Sequence, residues 1–178
     1  MHAMLRSIPS RFPSLPQLGF EIEMPADFAE PPIPEETPKF EQPAFMMPLW
    51  LSSAQVALAL LAVSARPAYD DGSVIEWVQF LAHDQGLTLL NCAQRMLGPH
   101  PAIVFDASQE QDGVMLRFHM AAVQDGDMLF VIMAMTPEAL WPSFGEQLSA
   151  AIASFRLMHP AGPRAPLTPA ASPRPEIM

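Results

Sequence analysis

Ser64, His83 and Asp84 are the hydroxyl, imidazole and carboxylate that could be offered as nucleophile, base and orienter. No Gly-x-Ser-x-Gly elbow surrounds Ser64, and neighbours on a helix such as His83 and Asp84 face different directions, so no catalytic residue is expected. His83, His100, His119, Asp106 and Asp112 could ligate a metal. None of them shows the His-x-x-x-His or His-x-His spacing that turns two ligands to one face, so no metal is expected either. His119 alternates with Phe118 and Met120, which places it on the outer face of a strand or makes it the donor of one core hydrogen bond. Asp70-Asp71-Gly72 has the composition of a cation-binding turn, but a helix start explains the same residues. Gly98 and Gly113 stand alone and Gly86 reads as a helix cap, so there is no phosphate loop and no cofactor is expected.

The thirteen methionines are the more unusual feature. Thioethers pack adaptably, and they serve either to fill a core or to accept apolar partners at a surface. In the second case Met46, Met120 and Met128 would form a solvent-facing binding surface, rimmed by Glu35, Glu36 and Glu41 from the acidic segment before it.

The elements that would position these residues follow from composition. A chain of 178 residues, 50% apolar and 16% charged, has one domain's length and enough apolar surface for a core. Of its 21 prolines only Pro67, Pro99, Pro101, Pro137 and Pro142 fall within residues 49–158, so the ends read as irregular and the middle as folded. This divides the chain into an irregular arm over 1–17, one domain over 18–158, and a Pro-rich disordered tail over 159–178. Nineteen acidic residues against nine basic ones give a net charge of −10, which repels a phosphate backbone and speaks against nucleic-acid binding. The single cysteine, Cys92, excludes an internal disulfide.

Residues 19–24 alternate Phe20, Ile22 and Met24 with Glu21 and Glu23, a half-buried strand that Pro25 ends. The charge-free run over 42–65 is long enough to span a bilayer. It is interrupted by Pro43, Pro48 and several polar residues, so a hairpin of strands 44–51 and 56–65 is preferred to a membrane helix. Ser73 opens a helix with Val74, Trp77, Val78 and Leu81 on its inner stripe and Gly86 at its end. Residues 87–97 are a strand or a short helix, broken by Gly98-Pro99-His100-Pro101. Strands over 102–107, 114–123 and 128–135, separated by two Asp-Gly sequences, form an antiparallel meander. Pro137 opens a last helix with Leu140, Trp141, Phe144, Leu148, Ile152 and Phe155 facing the core, ending near Arg156. The expected fold is therefore α+β: a mostly antiparallel sheet of about six strands covered by two amphipathic helices.

The Phe20-Glu21-Ile22 strand, the Asp-Gly hairpins and the closing helix that ends Ala153-Ser154-Phe155-Arg156-Leu157 resemble the PsbP/DcrB-like superfamily. The resemblance covers about residues 18–157 and is strongest over 114–157. The long apolar run over 44–63 and the Pro-rich loop before it depart from that pattern. The superfamily includes the extrinsic P subunit of photosystem II, a Ran-binding nuclear transport factor, DcrB-type proteins and chaperone-adaptors of type VI secretion effectors. The resemblance implies a small domain without a catalytic role that acts through protein contacts.

The leading expectation is a non-enzymatic adaptor or chaperone-like module that takes an apolar, basic segment of a protein or peptide partner at the Met-rich, acid-rimmed face. The alternative is a small-molecule or lipid-binding protein with an apolar pocket and weak hydrolytic activity. A homodimer is open to either. No secretory signal precedes the domain, so the cytoplasm is the expected compartment.

Overall fold

The computed structural model describes residues 5–12, 15–25, 28–29, 45–52, 59–68 and 73–158. Among them the central feature is a seven-stranded antiparallel sheet. Its strands are β3 (Phe28–Ala29), β4 (Phe45–Ser52), β5 (Leu60–Pro67), β6 (Thr88–Leu97), β7 (His100–Gln111), β8 (Val114–Asp125) and β9 (Met128–Pro137), in the spatial order β3-β4-β5-β9-β8-β7-β6. A second, three-stranded sheet joins β1 (Leu5–Phe12), β2 (Leu15–Pro25) and β10 (Arg156–Met158) in the order β1-β2-β10. Two helices, α1 (Val74–Asp84) and α2 (Trp141–Ser154), complete the α+β architecture.

Glycines at the turn positions set the register of the meander. Asp112 and Gly113 both have positive φ, 51° and 78°, as a two-residue type I′ hairpin demands. At the β8–β9 turn Asp125 pairs with Met128, so the turn residues are Gly126 and Asp127, with Gly126 alone at positive φ in the II′ manner. Gly98-Pro99 is the same kind of device. Leu97 pairs with His100 across it, so the expected break is only a tight turn, and residues 87–97, read as strand or helix, form the strand β6.

The main sheet is covered on both faces, which is why β9 reads as an unbroken apolar run rather than an alternating one. On one face Phe130, Ile132, Ala121, Val123, Leu61 and Val63 pack against Leu148, Ala151 and Ile152 of α2 and against Phe20, Ile22 and Met24 of β2. On the other, Phe105, Phe118, Met120, Leu129 and Val131 pack against Trp77 and Val78 of α1. Both layers are fixed at their ends. The Ser73 hydroxyl accepts from the Glu76 amide, and Glu76 Oε2 accepts from the Ser73 amide at 2.8 Å, closing a capping box on α1. The Glu23 amide donates to Ser154 Oγ at 2.8 Å, and the rings of Phe20 and Phe155 lie 5.8 Å apart, pinning the end of α2 to β2.

Several expectations are corrected. Residues 1–17, read as an irregular arm, supply β1 and the start of β2. β1 pairs with β2 alone among the described strands, and an edge strand tolerates proline because its missing N–H can face away from the ladder. The described strands number more than six, because β1, β3, β6 and β10 join those expected. Pro137 does not begin the helix: a 3-10 turn over Glu138–Leu140 precedes α2. Phe155 lies just past the helix, fully buried, and Arg156 to Met158 pair with β2 as β10. Trp141 is half-buried rather than buried. The charge-free run forms the antiparallel pair β4–β5, and among the described residues no helix is long and apolar enough to cross a membrane. The connection over 53–58 and the tail over 159–178 lie outside the described residues.

Candidate functional site

Each face of the main sheet presents one group of side chains with chemical potential. On the α2 face the group is polar. Residues equidistant from a two-residue turn face one another, so the Asp112-Gly113 turn sets Asp106 opposite His119 and the Gly98-Pro99 turn sets Asn91 opposite Asp106. His119 Nδ1 lies 2.7 Å from Asp106 Oδ1, and Asn91 Nδ2 donates to Asp106 Oδ2. Arg117, two residues before His119 and so on the same face, reaches Asp106 Oδ2 at 3.9 Å and Glu138 Oε1 at 3.5 Å. Its guanidinium carbon stands 5.3 Å from the centre of the Trp141 ring, which lies 6.3 Å from the His119 ring. A Cβ on Gly145 would meet the indole at 2.6 Å, so the ring rests on the helix backbone one turn below it.

Asp106 and His119 form a hydrogen-bonded carboxylate–imidazole pair, and the carboxylate is divided among three partners. The two clefts described next do not open onto the pair. The row ties β6, β7 and β8 to the start of α2. A cross-strand Asp–His pair is legible from the Asp-Gly turn and the equal spacing on either side of it, a signal that no local motif contains.

On the α1 face the group is apolar and open. α1 begins beside the β8–β9 turn, where the Ala68 amide donates to Asp127 O at 2.8 Å, and runs toward the opposite end, where Gln109 Nε2 donates to Gln85 O at 2.7 Å. Its first turn stands between two clefts. One, of about 180 Å³, is lined by Ala68, Val74, Trp77, Phe80 and Leu129 with Ser73, Glu76 and Gln124. The other, of about 550 Å³, is lined by Val74, Ile75, Pro101, Ala102 and Ile103 with Ser73, Gln94, Gln124 and Gly126. Ile75 is 45% exposed and Phe80 56%, so the outer wall is apolar and accessible. The Glu76 carboxyl is held below its ordinary 4.5 by the backbone and side-chain hydrogen bonds of Ser73, and the wall therefore carries a negative charge. Beside these clefts β6 is an edge strand of the main sheet among the described strands, with Leu89, Leu90 and Met96 exposed and Arg95 as its one charged residue.

Two of the methionines expected on the binding face are buried. Met120 is 3% and Met128 6% exposed. Both strands are sandwiched between helix layers, Met120 under α1 and Met128 under α2 and β2, so neither thioether reaches solvent. Met46 sits in β4 opposite Ser64 of β5. Glu35, Glu36 and Glu41 lie outside the described residues. Ile75 and Phe80 were the residues missed. They are apolar but fall off the Val74, Trp77, Val78 and Leu81 stripe, and a large apolar residue off the inner stripe of a short helix is left at the surface. His119 faces α2 rather than open solvent, and the Ser64, His83 and Asp84 side chains come from unconnected places: β5 for the first and the far end of α1 for the others. Among the described residues no group of three His, Cys, Asp or Glu side chains is placed to hold a metal ion.

No protein-family model matches the chain, and no curated protein matches it in sequence. In three dimensions it is similar to the cyanobacterial PsbP protein CyanoP of Synechocystis sp. PCC 6803, with a TM-score of 0.61 and 14% identity over 89% of this chain and 95% of that one. It is also similar to LpqN of Mycobacterium tuberculosis, a protein involved in cell envelope biogenesis, with a TM-score of 0.59 and 10% identity over 86% and 91% of the two chains. PA94 of Pseudomonas aeruginosa, whose function is unknown, aligns with a TM-score of 0.51 and 15% identity over 97% and 100%. The fold is thus PsbP-like, as the resemblance read from the sequence implies.

Proposed function

We propose that this chain is a protein-binding module that receives an apolar, basic segment of a partner in the clefts flanking the first turn of α1. The observation that carries the reading is the placement of Ile75 and Phe80, two large side chains left on the outer wall of open apolar clefts. An exposed aromatic, Phe80, one turn from a buried one, Trp77, with Glu76 immediately before Trp77 in sequence, is the composition of a peptide anchor site with an acidic rim. The chain's net charge of −10 steers a basic segment toward it. The clefts lie at the surface with few converging polar groups, which favours a peptide over an enclosed small ligand.

The test is a photo-crosslinking residue at Phe80, with one at Glu110 on the far edge as control. The partner captured at Phe80 alone is identified and its binding to the purified protein measured. Ile75→Asp with Phe80→Ser should weaken that binding at least tenfold and leave the melting temperature within a few degrees, since both side chains are exposed. Equal binding by the double variant refutes the site.

A further inference from the structure

β6 lies at an edge of the main sheet among the described strands, and β7 is the only one of them that pairs with it. We infer that two copies of this chain associate through β6, antiparallel about a two-fold axis at Gln94, so that the sheet of one copy continues into the other. The inference goes beyond the peptide reading and does not depend on it.

The turn decides which backbone groups face outward. Leu97 and His100 flank the two-residue Gly98-Pro99 turn, so the Leu97 carbonyl accepts from the His100 N–H and the pair is hydrogen-bonded. Antiparallel pairs alternate. Arg95 with Ala102, Ala93 with Val104 and Asn91 with Asp106 are therefore bonded in the same way, whereas Met96 with Pro101, Gln94 with Ile103 and Cys92 with Phe105 are not. Pro101 has no N–H to give, which agrees with its place in the second set. Cys92, Gln94 and Met96 thus turn their N–H and C=O groups away from β7. The devices that blunt a natural edge are missing along this stretch: β6 has no proline, lysine or acid, and its one bulge, at Leu90, leaves Asn91 to Leu97 regular.

Self-complementarity selects the occupant. With Gln94 on the axis, the outward groups of Cys92, Gln94 and Met96 meet those of Met96, Gln94 and Cys92 of the second copy, in roughly six hydrogen bonds. The same register sets Met96, which is 62% exposed, opposite the exposed Cys92 of the second copy and beside its Leu90. Charge has the same symmetry. The Leu97 end of the strand carries Arg95 and the exposed Arg156, whose Cδ stands 3.0 Å from where a Cβ on Gly98 would be. The Thr88 end lies beside three exposed acids: Glu110 and Asp112 follow Ser108, the partner of Thr88, and Asp84 precedes Gln85, whose carbonyl Gln109 holds. Antiparallel pairing turns the basic end of each copy toward the acidic end of the other, which offsets the repulsion between two chains of net charge −10. A basic peptide finds no acid within β6 to hold it.

The test uses the full chain. Over a concentration series in sedimentation the mass should pass from one chain to two, and added salt should weaken the dimer. Met96→Lys, at an exposed position, should raise the dissociation constant at least tenfold with the melting temperature within a few degrees of wild type. In hydrogen exchange the amides of Cys92, Gln94 and Met96 should be protected at least tenfold more in the dimer than in the dilute monomer, while β7 protects Ala93, Arg95 and Leu97 in both. Gln94→Cys combined with Cys92→Ser should form an interchain disulfide under mild oxidation, because paired Cα atoms on the axis lie about 5.5 Å apart. The native Cys92 should not, being about 13 Å along the strand from its copy. A chain that is monomeric at every concentration overturns the inference, as does a dimer that Met96→Lys leaves intact. Protection of the three outward amides in the monomer overturns it too, since the same chain then covers the edge. So does a dimer that native Cys92 crosslinks faster than the Gln94→Cys variant, because the axis is then elsewhere.

Discussion

Replacing Gly145 by alanine sets two known effects against each other at one atom. In the interior of α2 the change should stabilise the helix by about 1 kcal/mol, the usual gain over glycine. The added methyl would stand 2.6 Å from Trp141 Cε2 and 2.7 Å from Nε1, inside any real carbon contact. The indole is a rigid ring, and it is also neighboured by the Arg117 guanidinium at 5.3 Å and the His119 ring at 6.3 Å. Room can only come from moving the ring off that stack or the helix off the sheet, an overpacking cost of about 1–3 kcal/mol. The net expectation is a loss of about 1 kcal/mol, read by urea denaturation or as a fall of roughly 2–4 °C in Tm for a domain of this size. The sharper check is the sign in a second background. With Trp141→Ala the obstruction is gone, and Gly145→Ala should then stabilise by about 1 kcal/mol. If alanine is stabilising in both backgrounds, or destabilising in both, the ring-on-glycine packing is not what holds this end of α2.

Asp106→Ala should cost about 2 kcal/mol, because it strips Asn91, His119 and Arg117 of a shared acceptor that is 13% exposed, and a loss below about 0.5 kcal/mol in denaturant titration would show the row to be ornamental. Ser73→Ala should cost about 1 kcal/mol by opening the α1 capping box, measured by thermal unfolding at pH 7. The same box sets a pH dependence: the Glu76 carboxyl is lowered in the folded state, so its contribution is complete above the ordinary 4.5 and is lost as pH falls through the lower folded value. The gap in stability between wild type and Ser73→Ala should therefore narrow in acid, and a gap that widens there contradicts the capping geometry.

Most of the fold was legible in local pattern, because the signals that specify it are local. Phe20, Ile22 and Met24 alternate and are all fully buried. The Asp112-Gly113 dipeptide sits at two positive φ values, and the helix that starts at Ser73 is capped by Ser73 and stops at Gly86, which has φ +64°. The candidate site was less legible. Met120 in β8 and Met128 in β9, expected on one binding face, point to opposite faces of the sheet, and period-2 patterning says only that neighbours along a strand face opposite ways. It does not say that both ways are covered.

What the sequence determined by itself is therefore the set of elements, their antiparallel pairing and the turns between them, since each rests on backbone conformations that a few neighbouring residues prefer. Tertiary structure alone decided which surfaces remained open. α2 and β2 close one face of the sheet over Met128 and Phe130, and α1 closes the other over Met120 and Val131. Ile75 and Phe80 are left outside because α1 turns its other side to the sheet. The same layering draws Arg117, His119 and Trp141 together from a strand and a helix. Burial is a property of what packs across a face from residues far away in the chain, and no window of sequence contains it.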